Sequence, residues 1–456
     1  MKKKWIASQA TMVFAMAAMT VLLAAGCDNG MTGAVAAVVA GQQNGTGSNH
    51  APSMPDGEID DDGVLTKYTG NETDVTIPEG VTDIGSGAFR DCTSLESVKI
   101  PASVTSIGKY AFWNCTSLTG VDIPASVTSI GVGAFYECES LETVTYNGTL
   151  AQWCAMDNDY NLMGKAERVI LTGENNMNLK QVDTLKIPDG VERIGIRAFY
   201  DCTALTDVTI PASVTSIEGG AFYGCESLET VTYNGTLAQW CAMDNDFWLM
   251  HNATSVILTG QNNMNLKQEA TLVIPDEATK IGRNAFGGCT SLTGVTIPEG
   301  VTSIGNNAFY ECTSLTEVTI PDGVTKIEYN TFYGCASLES VEIPDSVTYI
   351  RSSAFEGCTS LVSVEIPDSV TEIGGYAFKG CTSLTSVEIP AGVTEIGYGA
   401  FWWCTSLASV TYGGTKEQWA SMEKGSYIFV ATNVTEITCT NGTLTVDSNG
   451  NITDSN

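Results

Sequence analysis

Histidine is nearly absent from this chain, and basic residues are scarce. His50 and His251 are the only histidines, and 21 basic residues stand against 52 acidic ones, which gives a formal net charge of −31. A surface this acidic repels phosphate backbones, so nucleic acid is not an expected partner. Charged residues make up only 16% of the chain and hydrophobic residues 43%, so the chain can bury a substantial core.

The scarcity of histidine also bears on catalysis. Nucleophilic catalysis and zinc binding commonly need histidine beside Ser, Cys or Asp, and no such set occurs here at a repeated spacing. Phosphate-binding glycine motifs and calcium-binding nonapeptide repeats are missing as well. We therefore expect no catalytic residue, no cofactor and no metal. An enzyme whose chemistry lies in the inserted segments described below is the less favoured alternative.

An apolar run stands at the N-terminus. Three lysines, this apolar run and small residues lead to Cys27, which predicts an export signal over residues 1–26. Polar residues such as Gln9 and Thr11 interrupt the run, so it falls short of the ~20 apolar residues of a membrane-spanning helix. The segment "LAAGC" resembles the lipobox of bacterial lipoproteins, with its Leu one position further from the cysteine than usual. This resemblance implies a lipidated Cys27 and a protein anchored at the bacterial cell surface or outer membrane.

Residues 27–63 are rich in Gly, Asn, Ser and Pro, with acidic residues at the end. This composition cannot build a core, so we interpret the segment as a flexible tether between the lipid anchor and the folded part of the chain.

One 23-residue pattern, LxxVxIPxxVTxIGxxAFxxCxS, then occurs eleven times. Two longer gaps mark 41-residue insertions within an 87-residue duplication. Each copy contains one cysteine at the same place: Cys92, Cys115, Cys138, Cys202, Cys225, Cys289, Cys312, Cys335, Cys358, Cys381 and Cys404.

The pattern predicts one solenoid coil per copy. VxI and VTxI have the alternation of short strands with two inward residues each, proline ends the first strand, and AFxxC predicts a helical or 3₁₀ turn that places an aromatic ring inside. One coil cannot bury its apolar face alone, whereas stacked coils share a continuous core.

The two insertions and the C-terminus share a second motif. "TLAQW" and "TKEQW" are capping boxes that predict a short helix with a buried Trp, and each is followed by another apolar strand. We interpret all three as longer coils, since 41 residues are marginal for an independent domain. After the tether we predict repeats over residues 64–140, a first insert over 141–183, repeats over 184–227 and a second insert over 228–270. Repeats over 271–409 and a closing coil over 410–456 complete the chain.

The repeat resembles the BspA-type leucine-rich repeats of bacterial surface proteins, and the ending "TYGGTKEQW" is similar to segments that close many such arrays. The resemblance implies an α/β repeat solenoid, a right-handed leucine-rich-repeat superhelix of about eleven regular coils. It also implies a surface protein that adheres to host extracellular-matrix proteins or to other bacteria, and it supplies no catalytic residues. A structural or shielding coat protein without a specific ligand is the alternative.

The repeated cysteines fit a buried column best. Stacked thiols would lie near disulfide distance, but side chains one rung apart point the same way and an odd number cannot pair completely. A straight row also lacks the tetrahedral geometry of a metal site. We interpret the eleven cysteines as buried core residues, and the states of Cys154, Cys241 and Cys439 stay open.

Two outward columns are candidate binding residues. In seven coils the residue after the inward Phe is aromatic: Trp113, Tyr136, Tyr200, Tyr223, Tyr310, Tyr333 and Trp402. Aromatic rows are typical anchors of binding surfaces. The alternative is that these rings simply cover the turn of the next coil. The second column places Glu342, Glu365 and Glu388 one rung apart, where a basic ligand would relieve their repulsion. A solvated face that keeps the protein soluble is the alternative for this column.

Overall fold

The computed structural model describes residues 52–454. The export signal, Cys27 and most of the predicted tether lie outside this part of the chain. Within residues 52–454, no helix combines the length and apolar character needed to cross a membrane.

The described chain is a β-solenoid built on two parallel ladders. The VxI segments form the first ladder, with these strands: β3 (Asp74–Thr76), β5 (Ser97–Lys99), β7 (Gly120–Ile123), β9 (Thr143–Tyr146), β10 (Arg168–Leu171), β12 (Thr184–Lys186), β14 (Asp207–Ile210), β16 (Thr230–Tyr233), β17 (Ser255–Leu258), β19 (Thr271–Val273), β21 (Gly294–Thr296), β23 (Glu317–Thr319), β25 (Ser340–Glu342), β27 (Ser363–Val364), β29 (Ser386–Ile389), β31 (Ser409–Tyr412) and β33 (Glu436–Cys439).

The VTxI segments form the second ladder, with these strands: β2 (Val64–Tyr68), β4 (Asp83–Ile84), β6 (Ser106–Ile107), β8 (Ser129–Ile130), β13 (Arg193–Ile194), β15 (Ser216–Ile217), β20 (Lys280–Ile281), β22 (Ser303–Ile304), β24 (Lys326–Ile327), β26 (Tyr349–Ile350), β28 (Glu372–Ile373), β30 (Glu395–Ile396) and β32 (Glu423–Lys424). The remaining strands of the described chain are β1 (Gly57–Ile59), β11 (Met177–Asn178), β18 (Met264–Asn265), β34 (Gly442–Val446) and β35 (Ile452–Asp454).

Most strands of the first ladder bury alternate residues, as the sequence predicts. In β29, Val387 and Ile389 are buried and Glu388 between them is exposed. Parallel pairing in register places Val387 beside Val410 of the next coil, so equal residues stack along the solenoid. The apolar residues of all coils therefore form one continuous core.

The turn after the second strand carries an inward Phe, and these rings stack from coil to coil. Phe332, Phe355 and Phe378 follow one another at centroid distances of 5.4 and 5.3 Å with nearly parallel planes. The helical or 3₁₀ turn predicted for AFxxC is instead a series of tight turns, in which Tyr376 and Gly380 have positive φ angles of 59° and 73°. A residue with positive φ cannot continue a right-handed helix. Each such residue therefore ends one tight turn, and another tight turn follows it.

The repeated cysteines lie beneath these turns. Ten of the eleven are buried, and Cys92 in the first coil is half-buried. Eight of them donate a hydrogen bond from Sγ to the carbonyl oxygen of the preceding coil's Phe, at 3.0–3.2 Å: Cys115, Cys138, Cys225, Cys312, Cys335, Cys358, Cys381 and Cys404. All described cysteines, with Cys154, Cys241 and Cys439 among them, are free thiols.

The inserts belong to the solenoid and contain the predicted helices. The capping boxes of Thr149, Thr236 and Thr415 begin the helices α1 (Leu150–Ala155), α3 (Leu237–Ala242) and α5 (Lys416–Ser421). A second helix follows in each insert, α2 (Tyr160–Lys165) and α4 (Phe247–Asn252). Strand β10 continues the ladder beside β9, and antiparallel β11 then ends it.

Side chains replace the missing backbone partners where an insert interrupts the row of turns. In a regular coil the Phe N–H donates to the next coil's Ala carbonyl, as between Phe112 and Ala134 at 2.8 Å. At the first insert the buried carboxylate of Asp159 accepts from the N–H groups of Gly133 and Phe135 instead, at 3.1 and 3.2 Å. Asp246 takes the same place in the second insert.

The carbonyls of the coil after an insert are satisfied in the same way. Trp153 Nε1 donates to the Ala198 carbonyl, and Lys180 Nζ donates to the carbonyls of Tyr200 and Asp201 at 2.9 Å each. In the second insert, the buried Lys267 donates to the carbonyl of Gly287, the counterpart of Tyr200, and to that of Met250 in the insert's own helix. Buried polar groups need partners. These side chains therefore allow the row of turns to be buried on both sides of an insert.

Antiparallel strands cover one ladder at each end of the solenoid, the second ladder at the N-terminal end and the first ladder at the C-terminal end. At the N-terminal end, β1 pairs with β2, and β2 joins the second ladder through β4. Residues from Met54 onward, which the sequence analysis assigned to the tether, are therefore part of the fold. At the other end, β33, β34 and β35 form an antiparallel sheet. Pairing these edges protects them from adding strands of another chain.

Candidate functional site

The aromatic column predicted from sequence lies along the rim formed by the turns. Its seven residues differ in exposure: Tyr136 and Tyr223 are exposed, Tyr310 is buried, and the others are half-buried. Tyr310 and Tyr333 stack with a centroid distance of 4.8 Å and an interplanar angle of 3°. Ring stacking between coils thus accounts for part of the column, and other aromatic residues join it to form three groups.

The central aromatic row consists of Tyr200, Tyr223, Trp248, Phe247, Tyr310 and Tyr333. Successive rings in this order lie within 4.7–5.3 Å of one another. Helix α4 of the second insert supplies Phe247 and Trp248, which join the rings on either side of the interruption. His251 stacks on Phe247 at 5.4 Å.

Sequence reasoning missed the contribution of α4, although a signal was present. The two inserts are nearly identical up to Asp159 and Asp246, after which Phe247, Trp248 and His251 stand where the first insert has Tyr, Asn and Gly. The duplicated segments therefore differ at the residues that complete the row.

The N-terminal aromatic cluster consists of Tyr110, Trp113 and Tyr136. Trp113 lies 5.2 Å from Tyr110 and 5.9 Å from Tyr136. The guanidinium of Arg90 covers the Trp113 ring at 3.9 Å, and the indole N–H donates to Glu137 at 3.0 Å. The Trp113 face is thus already occupied by a cation of the same chain.

The C-terminal aromatic cluster consists of Tyr376, Tyr398, Trp402, Trp403 and Tyr427. Trp402 is central, with the other four rings 5.7–6.4 Å away. Trp403, Tyr427 and Tyr398 are 55%, 52% and 40% exposed. Of these five residues, the sequence analysis singled out only Trp402, since the others stand at turn positions that most coils fill with other residue types.

The acidic column lies on the first ladder. Glu342, Glu365 and Glu388 are exposed, and Glu342 accepts a hydrogen bond from Thr319 on the neighbouring rung at 3.1 Å. Glu388 pairs in register with Thr411 on its other side. The column is therefore three carboxylates long and bounded by threonines.

A metal site needs side chains that can together hold the ion. Within residues 52–454, no group of three or more His, Cys, Asp or Glu side chains is placed to hold a metal ion. Burial raises the pKa of thiols in the column, for example that of Cys335 to about 12, so these cysteines are poor nucleophiles.

Several solved structures and one family model are similar to the chain. The chain is similar to a leucine-rich cell surface protein of Faecalibacterium prausnitzii, with 27% identity, coverage of 83% of this chain and 99% of that one, and a TM-score of 0.41. A leucine-rich repeat protein of Bacteroides ovatus is also 27% identical, with coverage of 82% and 98% and a TM-score of 0.36. One from Eubacterium ventriosum is 23% identical, with coverage of 86% and 96% and a TM-score of 0.46. No curated protein matches the chain.

The family model described as "BspA type Leucine rich repeat region (6 copies)" matches residues 66–155, 174–270, 260–339 and 325–450, which make up most of the chain. The leucine-rich-repeat solenoid predicted from sequence is thereby confirmed. The chain belongs to the BspA-type leucine-rich repeat family.

Proposed function

We propose that this protein binds other proteins at the bacterial cell surface, without catalysis, and mediates adhesion to host matrix proteins or to neighbouring cells. The observation that carries the proposal is the central aromatic row, six contiguous rings that cross the second insert. Tyr and Trp are enriched at binding hot spots because they offer large contact areas with few rotatable bonds.

The scaffold suits this use of the row. Stacked coils hold the rings at fixed spacing, so little conformational entropy is lost on binding. Tyr223 is exposed and Trp248 is half-buried, so a partner can cover them further. Several copies on one cell would add avidity to weak individual contacts.

A binding screen with the folded part of the chain tests the proposal. The fragment 52–456 retains β1 and the buried Met54, and we expect it to bind at least one protein of a panel of matrix and bacterial surface proteins and to block cell attachment. Absence of binding across the panel would favour a coat protein instead.

The role of the central aromatic row is tested by giving the second insert the residues of the first. The triple variant Phe247→Tyr, Trp248→Asn, His251→Gly should fold, because the first insert builds the same coil with these residues. We expect it to bind the panel protein about tenfold more weakly, as for the loss of a hot-spot aromatic. The control Val273→Ala changes a side chain that is 69% exposed and outside the row, and it should bind normally. If the triple variant binds as tightly as the parent, the central aromatic row is not the binding site.

We also propose that Cys27 carries a lipid anchor that holds the protein at the bacterial cell surface or outer membrane. The support is the signal-like segment 1–26 followed by "LAAGC". A single acyl chain binds membranes only marginally, whereas two or three chains hold a protein stably. Cys27→Ser should therefore release the protein into the medium or a salt-soluble fraction, while persistence in the detergent-soluble membrane fraction would contradict lipidation.

A further inference from the structure

The C-terminal aromatic cluster holds bulky residues in a backbone conformation that disfavours them. Tyr376, Trp403 and Tyr427 have φ angles of 59°, 62° and 63°. This left-handed region suits Gly and Asn, because a side chain there crowds the backbone. The repeat imposes this conformation on every coil: at the position of Trp403 the three preceding coils have Gly334, Gly357 and Gly380, and earlier coils have Gly or a polar residue such as Asn114.

Exposed aromatic rings in this conformation are not explained by folding. Trp403 and Tyr427 are more than half exposed, so they bury little apolar area to offset the strain. Strained residues that persist against such a cost often serve binding. The conformation thus indicates that these rings are retained for contacts outside the chain.

A lysine of the same chain shows what the ring faces accept. Lys379 Nζ lies 4.9 Å from the centroid of Tyr376 and 5.6 Å from that of Trp402. The same ammonium pairs with Glu356 at 2.8 Å. This combination of aromatic faces and a carboxylate is favourable for a cation. Among residues 52–454, no cation lies over the exposed rings of Tyr398, Trp403 and Tyr427.

A column of carboxylates follows the cluster along the second ladder. Glu372, Glu395 and Glu423 pair in register on β28, β30 and β32. Glu372 is paired with Arg351 at 3.1 Å, whereas Glu395 and Glu423 have no ion-pair partner within residues 52–454. Three residues along the chain separate Glu395 from Tyr398, so their Cα atoms lie within roughly 11 Å of each other.

We infer, building on the binding function proposed above, that the C-terminal aromatic cluster and the carboxylates of Glu395 and Glu423 form a docking site for a lysine- or arginine-rich segment of a partner protein. The basic side chains lie over the exposed rings and pair with the two carboxylates. The charge of the whole chain, −31, attracts such a segment, and the rings give it a defined position.

Glycine substitutions test this site without threatening the fold. Trp403→Gly and Tyr427→Gly relieve the positive φ and leave the net charge unchanged, so their melting temperatures should equal or exceed that of the parent. The probe is a synthetic decapeptide of lysine, compared with a decapeptide of alternating Gly and Ser, and binding to the fragment 52–456 is measured by isothermal titration calorimetry. We expect each variant to bind the lysine peptide about tenfold more weakly.

The control is Tyr110→Gly, which removes an exposed aromatic with a φ of 57° from the N-terminal aromatic cluster; it should leave the affinity unchanged. Equal affinity of all variants would mean that only the overall charge attracts the peptide, and would overturn the site. So would equal binding of the Gly/Ser peptide, or no binding of either. If the site fails while the fragment still binds a panel protein through the central aromatic row, the general binding function stands without this partner chemistry.

Discussion

The indole nitrogen of Trp153 donates a hydrogen bond of 2.7 Å to the carbonyl oxygen of Ala198, forty-five residues further along the chain. Trp240 makes the same bond to Ala285 at 2.8 Å in the second insert. The corresponding Trp419 of the last coil has a buried Nε1 with no acceptor among the described residues. One residue type thus stands in three equivalent helices, with its polar atom bonded in two of them.

This difference predicts unequal costs for the same substitution. Trp153→Phe leaves the Ala198 carbonyl buried without its donor, which costs about 1–3 kcal/mol beyond the loss of ring volume. Trp419→Phe removes an N–H that has no partner, so it should cost distinctly less. Urea unfolding of fragment 52–456 with each variant measures both, and equal losses would show that the indole bond contributes nothing to stability.

Burial of Asp246 predicts a pH-dependent stability. This carboxyl is 1% exposed, and burial raises its pKa from 3.8 to about 6, although three backbone N–H groups donate to it. The folded state therefore holds the proton more tightly than the unfolded chain. The contribution of this group to stability is largest below pH 4 and is lost as the pH rises from about 4 to about 6, by up to about 3 kcal/mol.

The free energy of unfolding of the parent and of Asp246→Asn, measured from pH 4 to pH 7.5, isolates this contribution. The difference between the two proteins should change between pH 4 and 6 and stay constant above. Glu388→Gln, which removes one exposed carboxylate, is the charge-matched control and should not reproduce that change. A difference that does not vary with pH would mean that Asp246 titrates normally in the folded protein.

The cysteine column predicts strongly unequal thiol reactivity. Burial raises the pKa of thiols such as Cys202 and Cys335 to about 12, and Cys92 differs in being half-buried. With a thiol reagent at pH 8, fragment 52–456 should label quickly at Cys92 and slowly elsewhere, and the denatured, unreduced chain should show all fourteen thiols. Cys92→Ser should abolish the fast phase. Fewer than fourteen thiols after denaturation would reveal disulfides.

The acidic column predicts a stabilising substitution at its centre. Glu365 has a carboxylate one rung away on either side, Glu342 and Glu388, and like charges on adjacent strands repel. Glu365→Thr removes both repulsions and adds a strand-favouring residue, so we expect about 0.2–1 kcal/mol of added stability at low salt. The gain should shrink in 1 M salt, where exposed charges are screened. If salt does not alter the gain in stability, the gain comes from the strand propensity of threonine alone.

Much of this fold could be predicted because the information is local and repeated. The alternation around Val387 and Ile389 fixes which residues face inward, and the capping box of Thr149 predicts its helix from four residues. Eleven copies make each pattern hard to mistake.

What could not be predicted depends on contacts between distant residues or on exceptions to the repeat. Asp159 looks like an ordinary helix N-cap, and only the position of Gly133 and Phe135 in the preceding coil shows that it replaces two carbonyls. The hairpin of β1 and β2 does not follow the 23-residue pattern, and only its pairing with β4 shows that it belongs to the solenoid, which is why the folded part was predicted to begin too late. Trp403 and Tyr427 were missed because we looked for residue types that recur at one position of the repeat. Both are aromatic at positions where most other coils have non-aromatic residues.

At the inserts, side chains replace some of the backbone hydrogen bonds between coils, and this affects how the protein unfolds. Both ladders are interrupted there, which separates an N-terminal block, a middle block and a C-terminal block, and within the last block each ladder breaks once more, at different coils. Repeat arrays unfold according to the strength of each interface between neighbouring units. Each interruption is crossed by side-chain contacts and a few backbone hydrogen bonds, such as that from the Asn158 N–H to the Ile196 carbonyl, rather than by two continuous ladders. A chain pulled from its ends should therefore yield at the inserts first, one block at a time.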